Sequence, residues 1–121
     1  MARIRRPWGW YHVIAQGKQW KIKLLYLKAW HRTSLQRHQS RTELWIGLAG
    51  QAYAYCPAST DGTFRRLAVG DDPLWIGRRE PHLLDGGGQG GLLLELQQGT
   101  CRERDIKRLS DDYGRASHAR S

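Results

Sequence analysis

Three polar side chains of types that bind metal ions lie close together in one short segment. SLQRHQSRTELWIGLAG, residues 34–50, holds Gln36, His38 and Glu43 within eight positions, and an apolar run then ends at Gly50. An imidazole, a carboxylate and an amide oxygen form a borderline-hard ligand set that suits zinc, manganese, iron, cobalt or nickel. The same three residues also fit a polar loop that leads into a strand, so the pattern alone leaves both interpretations open.

The elements that must position these residues are expected to be short β-strands. Aromatic and branched runs such as YHVIA, WKIKLLYLKAW and ELWIGLAGQAYAY recur along the chain and are separated by turn residues. Asp61-Gly62 lies between two such runs and predicts a hairpin, because glycine readily adopts the positive φ that the turn requires. The glycine-rich segment at 86–91 is predicted to be a mobile hairpin tip, since it lacks the Lys-Ser/Thr of a phosphate-binding loop.

The number and spacing of these runs indicate the fold class. About eight short strands with a turn every eight to twelve residues predict an all-β domain, closed as a barrel or folded as two sheets. The 121 residues suffice for one compact domain. The segment at 102–115 is predicted to add a short C-terminal helical turn, and residues 116–121 a loose tail.

The formal net charge of +9 is concentrated in the first part of the chain. Residues 1–50 contain ten Lys/Arg and one acid, whereas residues 51–121 contain ten of each sign. Such a basic region attracts nucleic acid, a membrane surface or a phosphorylated small molecule, or it is simply a solvated surface. Nucleic acid is the less favoured partner, because no helix-turn-helix or RNA-binding aromatic motif accompanies the charge.

The expected location is the cytoplasm. The N-terminal MARIRRPWGW lacks the apolar run of a signal peptide, and no segment reaches the length of a membrane span. Cys56 and Cys101 show no Cys-x-x-Cys spacing, so two free thiols are expected.

The opening segment resembles the first motif of the cupins, which are small jelly-roll barrels built as a double-stranded β-helix. Gln36-x-His38, four residues, Glu43, six residues and Gly50 follow that motif, although Trp30 replaces its first glycine. His82, in REPHLLD, stands where the second cupin motif supplies a histidine. The resemblance implies a cupin fold and a divalent metal held by Gln36, His38, Glu43 and His82.

Further motifs narrow the resemblance to the type II mannose-6-phosphate isomerase domain, the module usually fused behind a mannose-1-phosphate guanylyltransferase. They are RPWG at 6–9, WKIKLLYLK at 20–28, SLQRH at 34–38, ELQQG at 95–99 and DDYGR at 111–115. The similarity extends from about 6 to 115. The chain departs from the family at Gln39, Ser40 and Leu44, where the family usually has histidine.

The resemblance implies a metal-assisted isomerase that interconverts mannose 6-phosphate and fructose 6-phosphate by moving a proton between C1 and C2. Lys23, Arg41 and Arg6 are expected to bind the sugar phosphate. Arg115, Glu95 and Tyr113 are the expected catalytic residues, with Glu95 either a barrel-facing base or a solvated surface acid.

Two alternatives to an active isomerase remain open. The chain could be an inactive cupin that binds a sugar phosphate or nucleotide sugar, or the partner of a separate guanylyltransferase. A homodimer formed through a sheet face is expected in either case. The face itself is ambiguous, because Glu43 pointing inward places Leu44, Ile46 and Leu48 outside, and the reverse holds if Leu44 points inward.

Overall fold

The computed structural model describes residues 3–102 and 105–114, and these form nine strands and one short helix. The elements are β1 (Ile4–Arg6), β2 (Gly9–Gln16), β3 (Trp20–Leu27), β4 (Leu35–Arg37), β5 (Arg41–Tyr55), α1 (Pro57–Thr60), β6 (Phe64–Ala68), β7 (Leu74–Ile76), β8 (Leu83–Gly99) and β9 (Lys107–Ser110). The predicted all-β class is confirmed. Among the described residues, no helix is long and apolar enough to cross a membrane.

The strands form one large antiparallel sheet and one small one. The large sheet has the order β1-β2-β3-β8-β5-β6, with β7 also paired to β5, and the small sheet is β4-β9. The long strands β5 and β8 pair from Arg41↔Gly99 to Tyr55↔Leu83, with register shifts near Gly47. Residues of both sheets line a common cavity, so the small sheet covers part of the inner face of the large one.

The phase of the central strands resolves the ambiguity over which face points inward. In β5, Glu43 and Trp45 are buried and point inward, whereas Leu48 is 39% exposed on the opposite face. Because strand side chains alternate, Leu44 and Ile46 share the outer face with Leu48. Trp45 belongs to the core and contributes nothing to the outer surface.

The Asp61-Gly62 hairpin forms as predicted, with an additional helical turn before it. The one-turn helix α1 follows β5, and Asp61 and Gly62 then adopt φ of 54° and 73°. This left-handed pair reverses the chain direction, so that β6 pairs antiparallel with β5.

The predicted C-terminal helical turn is wrong, because the described part of this segment contains strand β9. β9 pairs with β4 through Arg37↔Lys107 and Gln36↔Arg108. Asp105 precedes it, and its carboxylate accepts hydrogen bonds from the backbone N–H of Gln39 and Ser40 at 3.0 and 2.9 Å. The mixed charges of the segment resemble a helix surface, but pairing with β4 satisfies the backbone groups of both short strands.

The glycine-rich segment at 86–91 is likewise not a hairpin tip, because it lies within the continuous strand β8. A Cβ atom on Gly86 would lie 1.9 Å from the carbonyl oxygen of Lys28. Gly90 has φ of 76°, and a Cβ there would lie 2.7 Å from the carbonyl oxygen of Leu27. The glycines therefore allow β8 to pass close to the backbone that follows β3.

Candidate metal and substrate site

The candidate site is a cavity of about 120 Å³ between the two sheets. Strands β3, β5 and β8 supply its floor, and β4, β9 and the segment before β8 supply its opposite wall. The charged and polar residues lining it are Arg6, Lys23, Thr33, Ser34, Gln36, His38, Arg41, Glu43, His82, Glu95 and Arg108. It therefore contains most of the residues that the sequence predicted to act together.

Three of the four predicted metal ligands converge in this cavity. His38 Nε2 lies 3.2 Å from Glu43 Oε2, and His82 Nε2 lies 3.6 Å from Glu43 Oε1. One ligand atom from each of these residues lies within 4.8 Å of the others. Gln36 lines the same cavity, and its backbone pairs with His82 in an isolated bridge. All four residues thus line one cavity, with Gln36 in β4, His38 between β4 and β5, Glu43 in β5 and His82 just before β8.

Backbone carbonyls fix which ring nitrogen each histidine presents to Glu43. Nδ1 of His38 lies 2.5 Å from the carbonyl oxygen of Asp105, and Nδ1 of His82 lies 2.8 Å from that of Glu80. A carbonyl oxygen can only accept, so each Nδ1 carries the hydrogen and each Nε2 keeps a lone pair directed at the cavity. This orientation by a second hydrogen bond is the usual arrangement of a metal-binding histidine.

Both histidines are electrically neutral at ordinary pH. Burial lowers the pKa of His38 to about 3, with help from the neighbouring Arg41 charge. Burial also lowers the pKa of His82 to about 4. Neutral imidazoles beside a buried carboxylate fit a divalent cation, because metal binding requires unprotonated ligands.

Arg41 lies directly beside this ligand set. Its Nε donates to Glu43 Oε2 at 2.9 Å, and its Nη2 lies 3.0 Å from His38 Nε2. Its Nη1 donates to the carbonyl oxygen of Arg102 at 3.3 Å. The predicted phosphate-binding role would require the guanidinium to leave these contacts.

Glu95 points into the cavity. Of the two positions that the sequence left open, barrel-facing or on the solvated surface, the structure shows the barrel-facing one. It is 6% exposed, and its Oε1 and Oε2 accept hydrogen bonds from Trp45 Nε1 at 3.3 Å and Gln97 Nε2 at 3.1 Å. Burial and the nearby Glu43 carboxylate raise the pKa of Glu95 to about 7, against the opposing effect of Lys23. A carboxyl group with this pKa can both accept and release a proton near neutral pH.

Lys23 and Arg6 contribute positive charge at different depths. Lys23 is only 4% exposed and is the cross-strand neighbour of Glu95, with its Nζ 4.3 Å from the centre of the Tyr11 ring. Arg6 is exposed at the edge of the cavity, and its guanidinium carbon lies 5.4 Å from the same ring. A phosphorylated ligand would therefore meet cations both at the entrance and inside.

Tyr113 packs against the apolar core, and its catalytic role stays a prediction. It is not among the cavity-lining residues, and its ring stacks on His31 with centroids 6.4 Å apart and planes at 8°. The neighbouring Asp112 pairs with Arg32 at 2.8 Å. Arg115 and residues 116–121 lie outside the described residues.

Sequence reasoning missed Arg108 as a cavity cation. Arg108 is the β9 partner of Gln36, so it enters the cavity beside a proposed ligand. The helical turn predicted for 102–115 gives no reason to place Arg108 on a face toward the cavity. Recognising the alternation of Ile106, Arg108 and Ser110 as a strand pattern would have revealed it.

Comparison with solved structures defines the class of fold. KdgF from Halomonas sp. matches with a TM-score of 0.72 at 14% identity, over 87% of this chain and 92% of that one. Oxalate decarboxylase from Bacillus subtilis matches with a TM-score of 0.72 at 16% identity, over 89% of this chain and 30% of that one. The fold is that of the cupins, as the sequence motif predicted.

Sequence comparison identifies the family within this class. The family model described as mannose-6-phosphate isomerase C-terminal matches residues 1–111, and the chain belongs to this family. The alginate biosynthesis protein AlgA of Pseudomonas aeruginosa is 35% identical over 94% of the chain, and mannose-1-phosphate guanylyltransferase of Escherichia coli is 32% identical over 93%. The chain spans 23% of the length of each of these relatives.

Proposed function

We propose that the chain is a metal-assisted sugar-phosphate isomerase that interconverts mannose 6-phosphate and fructose 6-phosphate. The observation that carries this proposal is one cavity that combines two histidines with Nε2 lone pairs directed into it, a buried carboxylate and a second carboxyl group with a pKa of about 7. Membership of the isomerase family supports the substrate class.

The residues divide the chemistry between them. His38, Glu43, His82 and Gln36 would hold the divalent cation, which supplies positive charge to stabilise negative charge on the substrate oxygens at C1 and C2. Glu95 takes the proton from one of these carbons and returns it to the other, while the hydroxyl proton passes between the oxygens at C1 and C2, so no co-reactant is consumed. Lys23 stabilises the carboxylate form of Glu95, and Arg6 and Arg108 hold the phosphate so that the reacting carbons stay in place.

Two of the three departures from the family motif, at Gln39 and Leu44, do not weaken this ligand set. Gln39 is exposed and its Oε1 accepts a hydrogen bond from Arg79 at 3.2 Å, while Leu44 points to the outer face of the sheet. A histidine at either position would point away from Glu43. Their replacement therefore leaves the four proposed ligands in place.

A coupled assay for fructose 6-phosphate tests the proposal. Protein purified without chelator or a nickel column should convert mannose 6-phosphate, and His38→Ala should lose both bound metal and turnover. His12→Ala is the matched control, because His12 lies on strand β2 outside the cavity. Absence of turnover with every divalent metal tried, in protein that is folded, would refute the isomerase proposal.

A second candidate is a binding module without turnover, and the position of Arg41 favours it. A guanidinium already occupies the surroundings of His38 Nε2 and Glu43 Oε2, where a cation would otherwise sit. This candidate predicts that mannose 6-phosphate or a nucleotide sugar binds measurably in calorimetry without isomerisation. It also predicts an unchanged melting temperature in a chelator.

We also propose that the outer face of the large sheet is the interface of a homodimer. Its cross-strand rows are Ile22-Leu96-Leu44-Trp75 and Leu24-Leu94-Ile46. These rows carry no charge, whereas the whole chain has a net charge of +9. Two copies would therefore repel each other elsewhere but could pack here without like-charge contacts.

Light scattering of the purified chain tests the dimer. A twofold mass that is lost when this face is altered supports it, whereas a monomer at micromolar concentration contradicts it. A monomer that instead binds a separate guanylyltransferase would assign the face to that partner.

The cytoplasm remains the proposed location, because Cys56 and Cys101 are both free thiols, as expected in a reducing compartment.

A further inference from the structure

Arg41 is a buried cation that contacts two of the proposed metal ligands. It is 5% exposed, and its Nε donates to Glu43 Oε2 at 2.9 Å while its Nη2 lies 3.0 Å from His38 Nε2. A third contact, from Nη1 to the carbonyl oxygen of Arg102, holds the other side of the guanidinium at 3.3 Å. One planar group is thus fixed from three directions beside the ligand set.

The direction of the contact with His38 follows from the rest of the ring. Nδ1 of His38 donates to the carbonyl oxygen of Asp105, so Nε2 must accept from Arg41. The Nε2 lone pair is the one that a metal ion would use. Arg41 therefore engages lone pairs on both His38 and Glu43 that belong to the proposed coordination sphere.

A metal ion and this position of Arg41 exclude each other. His38 Nε2 and Glu43 Oε2 are 3.2 Å apart, and bonds of about 2.0–2.2 Å to both atoms would place the ion between them. The N–H groups of Arg41 already point at both atoms. The positive guanidinium also repels a divalent cation at this distance.

We propose that Arg41 is a built-in competitor of the metal, so that the ion binds only when the guanidinium leaves His38 and Glu43. This inference rests on the metal site of the proposed function but does not depend on turnover. It makes Arg41 the residue that sets metal affinity, in addition to its expected role in binding the sugar phosphate.

Cobalt(II) titration of the metal-free full-length chain tests the competition, with visible absorption as the readout. Arg41→Met should bind cobalt about 10- to 100-fold more tightly than the unaltered protein, a range typical of coupling between two sites. Arg78→Met is the matched control, because it removes an exposed arginine and should leave the affinity unchanged. His38→Ala in the Arg41→Met background should abolish the gain.

Equal or weaker cobalt binding by folded Arg41→Met would overturn the proposal, as would a gain that survives His38→Ala. Absence of cobalt binding by every variant would overturn it too. Tight metal binding by Arg41→Met, together with no isomerisation by the metal-loaded unaltered protein, would instead refute the proposed function and leave the competition standing.

Arg41→Met leaves the buried Glu43 carboxylate without its partner, which can prevent folding. A second test therefore observes the Arg41 side chain in the unaltered protein. The Nε–H signal of Arg41 in a nitrogen-15 spectrum is assigned by its loss in Arg41→Lys. Adding zinc should shift this signal and speed its exchange with water. Zinc binding that perturbs His38 but leaves the Arg41 signal unchanged would refute the competition.

Discussion

The two faces of the same three central strands differ in the charge that they carry. Toward the cavity, β3, β5 and β8 direct Lys23, Glu43 and Glu95, each less than 7% exposed. Toward the outside, the same strands direct leucine and isoleucine, and Trp20 and Trp75 at the rim are 43% and 49% exposed. The inner face also carries apolar core residues such as Trp45 and Leu93, as is usual for a sheet with one solvated face, so the buried charges are what distinguish it.

This difference corresponds to the two proposed roles. Charged groups are costly to bury unless they are paired, so their concentration on the inner face supports our proposal that the cavity is a catalytic site. The apolar rows on the outside support our proposal of a dimer interface there. Substitutions on one face at a time test whether the two faces have these separate roles.

The largest effect is expected from Glu95→Gln on the inner face. The variant keeps the shape of the side chain but cannot transfer a proton, so kcat should fall about 100- to 10,000-fold. Metal content should stay unchanged, because Glu95 is not a proposed ligand. Asp61→Asn, in the turn after α1, is the matched control, and near-normal turnover in Glu95→Gln would assign the proton transfer to another group.

The same substitution should change how stability depends on pH in metal-free protein. The folded-state pKa of Glu95 is raised from 4.5 to about 7, so between these values the folded chain keeps a proton that the unfolded chain has released. Raising the pH through this window therefore destabilises the unaltered protein, by up to about 3 kcal/mol. Glu95→Gln lacks this contribution, and its advantage in melting temperature should grow from pH 4.5 to pH 7.5.

A constant difference in melting temperature across that pH range would contradict the raised pKa of Glu95. His38 and His82 act in the opposite direction, because their lowered pKa values make the unfolded chain bind protons first as the pH falls below 6.5. Both histidines are present in both proteins, so the part of their contribution that does not depend on the Glu95 charge cancels in the comparison.

On the outer face, Leu94→Glu should weaken self-association by about thirtyfold or more, which corresponds to about 2 kcal/mol. Leu94 lies in the middle of the apolar row with Leu24 and Ile46, so a charge there would be buried in the dimer. Val69→Glu is the control, since Val69 is 71% exposed outside these rows. Sedimentation measures the effect, and an unchanged dimer in Leu94→Glu would place the interface elsewhere.

The smallest effect is expected from Asp105, which precedes β9 and supports the loop that carries His38. Asp105→Ala removes the carboxylate that binds the N–H groups of Gln39 and Ser40, and the loop carrying His38 should loosen. Metal affinity should fall about tenfold, and Asp105→Asn should recover part of it. Asp112→Ala, which breaks only the exposed pair with Arg32, should leave metal affinity unchanged in the same calorimetric titration.

The sequence predicted the parts of the site that are encoded by short-range spacing. Glu43 lies in a strand, and Gln36 and His38 lie just before it, so a fixed interval along the chain becomes a fixed distance across the cavity. His82 was predictable only through the second motif, because it reaches Gln36 by a long-range backbone bridge. The all-β class followed from recurrent strand and turn signals that are equally local.

The parts that sequence did not predict depend on long-range pairing. Strand β9 forms because β4 offers it a partner, and the alternation of Ile106, Arg108 and Ser110 is too short to distinguish this outcome from a helical turn. Arg108 was missed for the same reason, since the face on which it lies is set by that pairing. The sequence also did not show which side chains of β5 point toward the cavity, because both assignments give a similar alternation of side chains between the two faces.

The alignment of β8 between its two neighbours has a consequence for how this chain can vary. Trp45 and Lys23 both stand opposite Glu95, so three strands share one registration at the proposed reacting centre. Adding a single residue within 86–91 would shift the residues that follow by one position and exchange the two sides of β8. Leu94 and Leu96 would then point into the cavity and Glu95 would lie on the outer face, although no residue of the proposed site had been replaced.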